Sequence, residues 1–352
     1  MNTNNYEFQK VELLDIDNTN IHPLARVKKT IQGDIIEITY TSHRTQGATI
    51  RKIDSDSYEV ISTGEIKQYN KENKEKNRTD NVKELKRSMA KLRALINCNV
   101  GSENIKNVRW ITLTYAENMQ DTKKLYNDYK KLWQKLKRKY GNDLAYILAV
   151  EPQERGAWHI HLLLIFPTTA PYIVNEELAK MWGNGFVTVK SIDNNVDNLG
   201  AYLTAYLTDI PVENNDNSTE KKYIKGGRLS YYPTGMQFYR HSKNIKYPED
   251  IDCEYQDNQE LNKCSLTYKK AFAIHYDENN PEKKITVIKE YYNTNRRREN
   301  GDKHYIPNYR AEQKELKIKY GFEFIGTGIP EIDNCRYADD LFADAPEYVE
   351  YF

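Results

Sequence analysis

The chain has 352 residues, and its 52 Lys and Arg are balanced by 51 Asp and Glu for a formal net charge of +1. That balance excludes a uniformly polycationic protein, while the length allows one large domain or two ordinary ones. Cys98, Cys253, Cys264 and Cys335 are scattered without CxxC spacing, which argues against both a paired-cysteine zinc site and a disulfide framework. The N-terminus is polar and no apolar run approaches a membrane span, so a soluble, cytoplasmic protein with no membrane partner is expected. Charge is nevertheless uneven. Residues 67–92 and 123–139 are dense in Lys and Arg, and residues 331–352 are acidic. A basic middle with an acidic tail suits a nucleic-acid binder, and equally suits exposed helix faces with a solvated end.

In chain order, residues 1–65 read as small β pieces, with strand-like alternation in DIIEITYTS (34–42) and YEVIST (58–63). Residues 66–82 are charged and polar, as in a linker or the exposed start of a helix. From Asn81 to Asn97 the pattern turns helical, with Val82, Leu85, Met89, Leu92, Leu95 and Ile96 on one stripe. WITLTY (110–115) alternates as a central strand, Thr112 and Thr114 on one side and Ile111, Leu113 and Tyr115 on the other. An amphipathic helix follows, with Asp121 as its N-cap, Tyr140 as its last residue and Gly141 as its stop. Its apolar stripe is Leu125, Tyr129, Leu132, Trp133, Leu136 and Tyr140, and lysines crowd the rest.

YILAV (146–150) and the apolar run closing EPQERGAWHIHLLLIF (151–166) then read as two strands around a turn at Pro152 to Gly156. His159 and His161 lie two apart, so on a strand both point to one face and Ile160 to the other. Two imidazoles side by side on a rigid strand are a start on a metal site. If the strands pair as a hairpin, Glu151 comes near the histidine face as third ligand; Glu154, in the turn, is the alternative. A His-x-His on a strand is also what two solvent-facing polar residues look like. A histidine-triad nucleotide hydrolase needs a third alternating histidine, and position 163 is Leu.

Asn175 to Trp182 reads as a short helix and GFVTVKSI (185–192) as another strand. On a helix spanning 197–209, Tyr202 and Tyr206 are four apart and share a face, as paired aromatics packing on a sheet also would. Between 222 and 248 basic and aromatic residues interleave, a mix suited to phosphate contacts with base stacking and equally common in surface β structure. Candidate DNA contacts are Lys190, Lys225, Arg228, Arg240 and Lys243. SLTYKKAFAIHY (265–276) and KKITVIKEYY (283–292) read as a hairpin around ENNPE. The chain carries no G-x-x-x-x-G-K-[ST] phosphate loop and therefore no sign of being a nucleotide-driven motor.

With these pieces placed, the chain resembles the HUH endonucleases, specifically the rolling-circle replication initiators of plasmids and bacteriophages. The likeness rests on three motifs in order: WITLTY (110–115), EPQERGAWHIHLLL (151–164) with its triplet His159-Ile160-His161, and YLTAYLTD (202–209). Trp182, Gly185 and Val187, and the GGRLSYYP segment, add to it, and the coverage is roughly 80–250. The resemblance implies an α+β fold, a central antiparallel sheet flanked by helices, with further β-containing segments at both ends. It divides the chain into an N-terminal accessory region (1–79), a nuclease domain (80–250) and a C-terminal accessory region with an acidic tail (251–352).

It further implies Mg2+ or Mn2+ on His159, His161 and Glu151, and a nucleophilic Tyr202 or Tyr206. Tyr202, matching the first tyrosine of the family's pair, ranks ahead. A tyrosine hydroxyl ordinarily titrates near ~10 and needs help to attack a phosphodiester at neutral pH. Single-stranded or hairpin origin DNA is the implied substrate, and a host helicase and polymerase the implied partners. In one respect the sequence departs from the family, which often has a lysine three residues after its tyrosine. Here those positions are Ala205 and Asp209. Lys190 or another basic group would have to replace it, and the departure keeps open a DNA-binding replication protein without catalysis. A relaxase or transposase of the same superfamily is the other alternative, although relaxases commonly place the tyrosine ahead of the histidines.

Overall fold

The computed structural model describes residues 10–43, 50–54, 56–61, 63–68, 78–153, 156–192, 198–208, 210–212, 222–224, 227–233, 236–298, 304–308 and 310. In chain order the strands and helices are β1 (Lys10–Leu13), β2 (Arg26–Gln32), β3 (Ile35–Thr41), β4 (Ile50–Lys52), β5 (Ser57–Val60), β6 (Glu65–Gln68) and α1 (Arg78–Asn99). Next come β7 (Val108–Tyr115), α2 (Thr122–Tyr140), β8 (Ala145–Pro152), β9 (Trp158–Ile165), α3 (Asn175–Trp182), β10 (Gly185–Lys190) and α4 (Leu199–Thr208). The short strands β11 (Ile210–Val212), β12 (Lys222–Ile224) and β13 (Tyr239–His241) follow, then β14 (Glu249–Glu254), β15 (Cys264–His275) and β16 (Lys284–Arg297). Mixed helices and antiparallel sheets make this an α+β fold. Two compact units result, one within residues 1–31, 36–75 and 250–351 and the other within 32–35 and 76–249.

The second unit is built on a five-stranded sheet in the order β10-β7-β9-β8-β13, all neighbours antiparallel. The histidine strand β9 is therefore its centre. Its alternation follows the sequence: Ile111, Leu113 and Tyr115 of β7 are buried on the face that receives Leu125, Tyr129, Leu132 and Leu136 of α2. Helix α2 starts where the Asp121 carboxylate accepts from the amides of Lys123 and Lys124, and stops at Gly141 with φ +103. Helix α1 runs three residues earlier and two later than its apolar stripe suggested, because Leu85, Met89, Leu92, Leu95 and Ile96 anchor a core that extends past them to Val100.

The other unit is a six-stranded sheet in the order β1-β15-β16-β3-β2-β14, together with a three-stranded sheet β4-β5-β6. Strands from both ends of the chain thus share one sheet. β15 and β16 form the expected hairpin, with Phe272 opposite Val287 and Ile274 opposite Ile285. Strand β2 is invisible in the sequence pattern because Lys28 and Lys29 interrupt its alternation. Their ammonium groups reach Asp250 and Glu260. YEVIST is shorter as a strand than it reads, ending at Val60, and Glu65–Gln68 forms a strand where linker was expected. The acidic tail, 331–352, lies outside the described residues.

A fully buried carboxylate holds the centre of this sheet. Glu290 Oε2 accepts from the hydroxyls of Tyr292 at 2.8 Å and Tyr255 at 2.9 Å, His304 Nε2 stands 3.5 Å away, and Lys269 Nζ is 3.8 Å from Oε1. Burial pushes the Glu290 carboxyl up, but the bonds and charge of His304 and the two tyrosines outweigh it and hold it below the usual range. A depressed folded-state value means the stabilisation is present above the unfolded carboxylate range and lost as pH falls through the folded value. Glu290→Gln should therefore destabilise this unit by about 1–3 kcal/mol at neutral pH. In urea titrations followed across pH, its gap from the wild type should close under acidic conditions.

Candidate metal centre and nucleophile

Register assembles the site. In β7–β9–β8 the directly paired residues are Thr114, His159 and Glu151 in one row, and Thr112, His161 and Ala149 in the next. Directly paired residues of antiparallel strands share a face, so both histidines and Glu151 project from one side. The ligand atoms of Glu151, His159 and His161 all lie within 4.8 Å of one another, with Glu151 buried and the histidines partly so. His161 Nε2 donates to Glu151 Oε2 at 2.5 Å, and the Thr112 hydroxyl lies 3.4 Å from the other ring nitrogen. His159 Nδ1 is 4.0 Å from the same carboxylate oxygen and receives Gln153 Nε2 at 3.2 Å.

The Glu151 carboxyl is pushed up by burial, yet the His161 bond and the charges of His161, Arg228 and His159 prevail and hold it below its ordinary value. An ionised carboxylate and two imidazoles form a donor set that fits a divalent cation. The proton shared by His161 and Glu151 marks where two ligand lone pairs already meet. Arg228 Nη1 stands 3.0 Å from Glu151 Oε1 and 3.2 Å from the Pro152 carbonyl, which it bonds. It turns one carboxylate oxygen away and leaves the other toward the histidines. Glu154 lies outside the described residues.

Helix α4 carries the tyrosines. Asn198 caps it by accepting from the Ala201 amide, and Leu199, Leu203 and Leu207 are buried along one stripe. Gly200 lets it lie against α1: a Cβ there would come 2.4 Å from the Arg93 carbonyl, and the Gly200 amide donates to Asn97 Oδ1 at 2.8 Å. The buried Tyr232 hydroxyl, 3.1 Å from the Leu207 carbonyl and 3.0 Å from that of Val150, ties the end of α4 to β8. These contacts leave Tyr202 43% exposed at the rim. Trp110 stands between it and the cluster, its ring 6.3 Å from that of Tyr202, edge-on, and 6.2 Å from that of His161. Only the backbone of Tyr206, one turn along, belongs to the described part of the structure.

The basic candidates separate. Lys190 is exposed on the same sheet face, paired with Trp110. Arg228 sits on Glu151 itself. Arg240 pairs with Leu148 and so points to the opposite face, where its guanidinium lies 3.5 Å from the Tyr126 ring centroid. Lys243 is exposed beyond β13, and Lys225 lies outside the described residues. Sequence reasoning passed over Trp110, Gln153 and Tyr232 as site residues. The alternation of WITLTY already placed Trp110 with Thr112 and Thr114, which was a usable signal; Tyr232 offered none beyond sitting in GGRLSYYP.

Residues 108–210 match the family model of the replication-associated protein of the ORF2 type. The match is to a replication protein. It runs from the start of β7 through α4 and thus contains the histidine strand, Glu151 and both tyrosines. No curated protein and no solved structure matches the chain. Among the described residues no helix is long and apolar enough to cross a membrane.

The donor set makes a checkable statement about metal. Imidazole ligands favour Mn2+ over the harder, oxygen-seeking Mg2+. Calorimetric titration of the full chain should give saturable binding that is tighter for Mn2+. His161→Ala and Glu151→Gln should each weaken it roughly 10–100-fold, a loss that even outer-shell substitutions produce at metal sites.

Proposed function

We propose that this protein initiates replication by nicking DNA through Tyr202, with Glu151, His159 and His161 holding a divalent cation beside the phosphodiester. The observation that carries the reading is the placement of Tyr202 and the His/His/Glu cluster on one sheet face, with Trp110 packed between them. The replication-associated family model that matches residues 108–210 supports it independently. When bound, the cation supplies Lewis-acid stabilisation of the charge developing on the phosphoryl oxygens and the departing oxygen.

The rest falls to the chain. Tyr202 Oη forms a bond to phosphorus and loses its proton, while the bond from phosphorus to the 3′ oxygen breaks. That oxygen takes up a proton and leaves as a 3′ hydroxyl, free to prime a polymerase. The 5′ phosphate stays on the tyrosine. One phosphodiester is exchanged for another, so the step is reversible and the strand can be rejoined by the same chemistry. Tyr206, on the next turn of α4, is the candidate for that second transfer. Helix α4 is fixed to α1 and β8 through Gly200 and Tyr232, so the nucleophile is held rather than searching. A nucleophile fixed in this way needs a phosphate brought to it, which single-stranded or hairpin DNA can do.

Labelled single-stranded origin DNA incubated with Mn2+ should give a metal-dependent, denaturation-resistant protein adduct at the 5′ side of the cut. Tyr202→Phe and His161→Ala should each abolish the adduct while leaving DNA binding in place. A Tyr202→Phe protein that still forms the adduct would transfer the role to Tyr206. Binding without any adduct, under either metal, would leave a replication protein without catalysis.

A further inference from the structure

The sheet face that carries the cluster does not end there. Strand β10 pairs with β7 so that Phe186 stands opposite Thr114, Thr188 opposite Thr112 and Lys190 opposite Trp110. Phe186 therefore continues the row Glu151–His159–Thr114, two strands, or roughly 10 Å, from the histidine. The two halves of this face differ. On β8 and β9 its residues Ile147, Ala149 and Leu163 are buried at 2%, 6% and 4% exposure. On β10 Phe186 is 70% exposed, and Thr188 and Lys190 are exposed with it. The alternate residues Val187 and Val189 pack on the core, so nothing about folding requires an aromatic ring at 186.

We propose that β10 is the binding subsite for the single strand flanking the scissile phosphate, with one nucleobase stacked on Phe186 and the backbone followed by Lys190 and Thr188. This rests on the nicking reading above, since it takes the cluster as the place of the phosphodiester. An exposed aromatic flanked by a hydroxyl and an ammonium, continuous with a cation-binding cluster, matches what single-stranded DNA asks for: a π-face for a base and charge for its phosphate. Duplex DNA keeps its bases stacked internally and offers the ring nothing. A second copy of this chain is the rival occupant. Strand addition along β10 is disfavoured because the outward Val189 amide is already taken by Asn175 Oδ1 at 3.0 Å.

The test uses the full chain in chelator, so that binding is read without metal or chemistry. Fluorescein-labelled oligothymidylate and a mixed-sequence duplex serve as probes, because stacking is sequence-tolerant. Phe186→Ala should weaken oligothymidylate binding roughly ten-fold, the scale of one base–aromatic stack, and leave duplex binding unchanged. Phe186→Trp should restore affinity, and added oligothymidylate should quench the new indole's fluorescence. Unchanged oligothymidylate affinity in Phe186→Ala overturns the proposal. So does a change in sedimentation from dimer to monomer without loss of DNA binding, which would make β10 a self-association surface. These readouts are independent of the tyrosine adduct. A protein that forms the adduct but ignores Phe186 refutes the subsite alone, and one that stacks on Phe186 without an adduct refutes the nicking alone.

Discussion

Everything at the site depends on the pairing register of three strands. With Thr114 opposite His159 and His159 opposite Glu151, the period-two geometry of the sheet delivers two imidazoles and a carboxylate to one face. A slip of β9 by one residue would turn Ile160 and Leu162 outward and bury both histidines in the apolar core. That core is what enforces the register: Ile160 and Leu162 are fully buried, as are Ile111, Leu113 and Leu148 on the neighbouring strands. The polar site is thus fixed by the apolar side of the same strands. The histidines need only occupy the alternate positions.

Position of the nucleophile is a second, separate problem, solved by close helix packing. Gly200 brings α4 onto α1, Tyr232 joins its C-terminal end to β8, and Trp110 spaces the Tyr202 ring from His161. Arg228 completes the electrostatics by meeting the Glu151 charge from the side away from the histidines. Ground-state charge is satisfied before any ligand arrives, which limits the reorganisation the site must undergo. The same arrangement accounts for the missing lysine after the tyrosine. An arginine reaching in from the 227–231 turn already supplies positive charge beside the cluster, with Lys190 exposed on the same face.

Local rules made much of this legible in the sequence. The alternation of His159 and His161, the cap and stop of α2 at Asp121 and Gly141, and the faces of WITLTY all follow from one strand or helix considered alone. Glu151 required one further step, the pairing of adjacent strands across a short turn. What could not be read depends on partners distant in the chain. That Arg228 meets Glu151, that Arg240 faces away over Tyr126, and that Phe186 continues the row of His159 are consequences of strand order, β10 beside β7 and β13 beside β8. Strand β2 was hidden for a related reason: Lys28 and Lys29 break its alternation, and the Asp250 and Glu260 that make them tolerable lie far along the chain. The sharing of one sheet by β1–β3 and β14–β16 is likewise a long-range pairing that no local pattern encodes.

The central claim is that a tyrosine held against the His/His/Glu cluster becomes bonded to DNA. Peptide mass mapping of the protein after reaction with single-stranded origin DNA and Mn2+, followed by nuclease trimming, reads this most directly. A nucleotide mass on the peptide bearing Tyr202, absent without metal and absent in His161→Ala, is the predicted result. A nucleotide found only on a tyrosine outside α4, or an adduct that forms equally well without the histidines, would contradict the account.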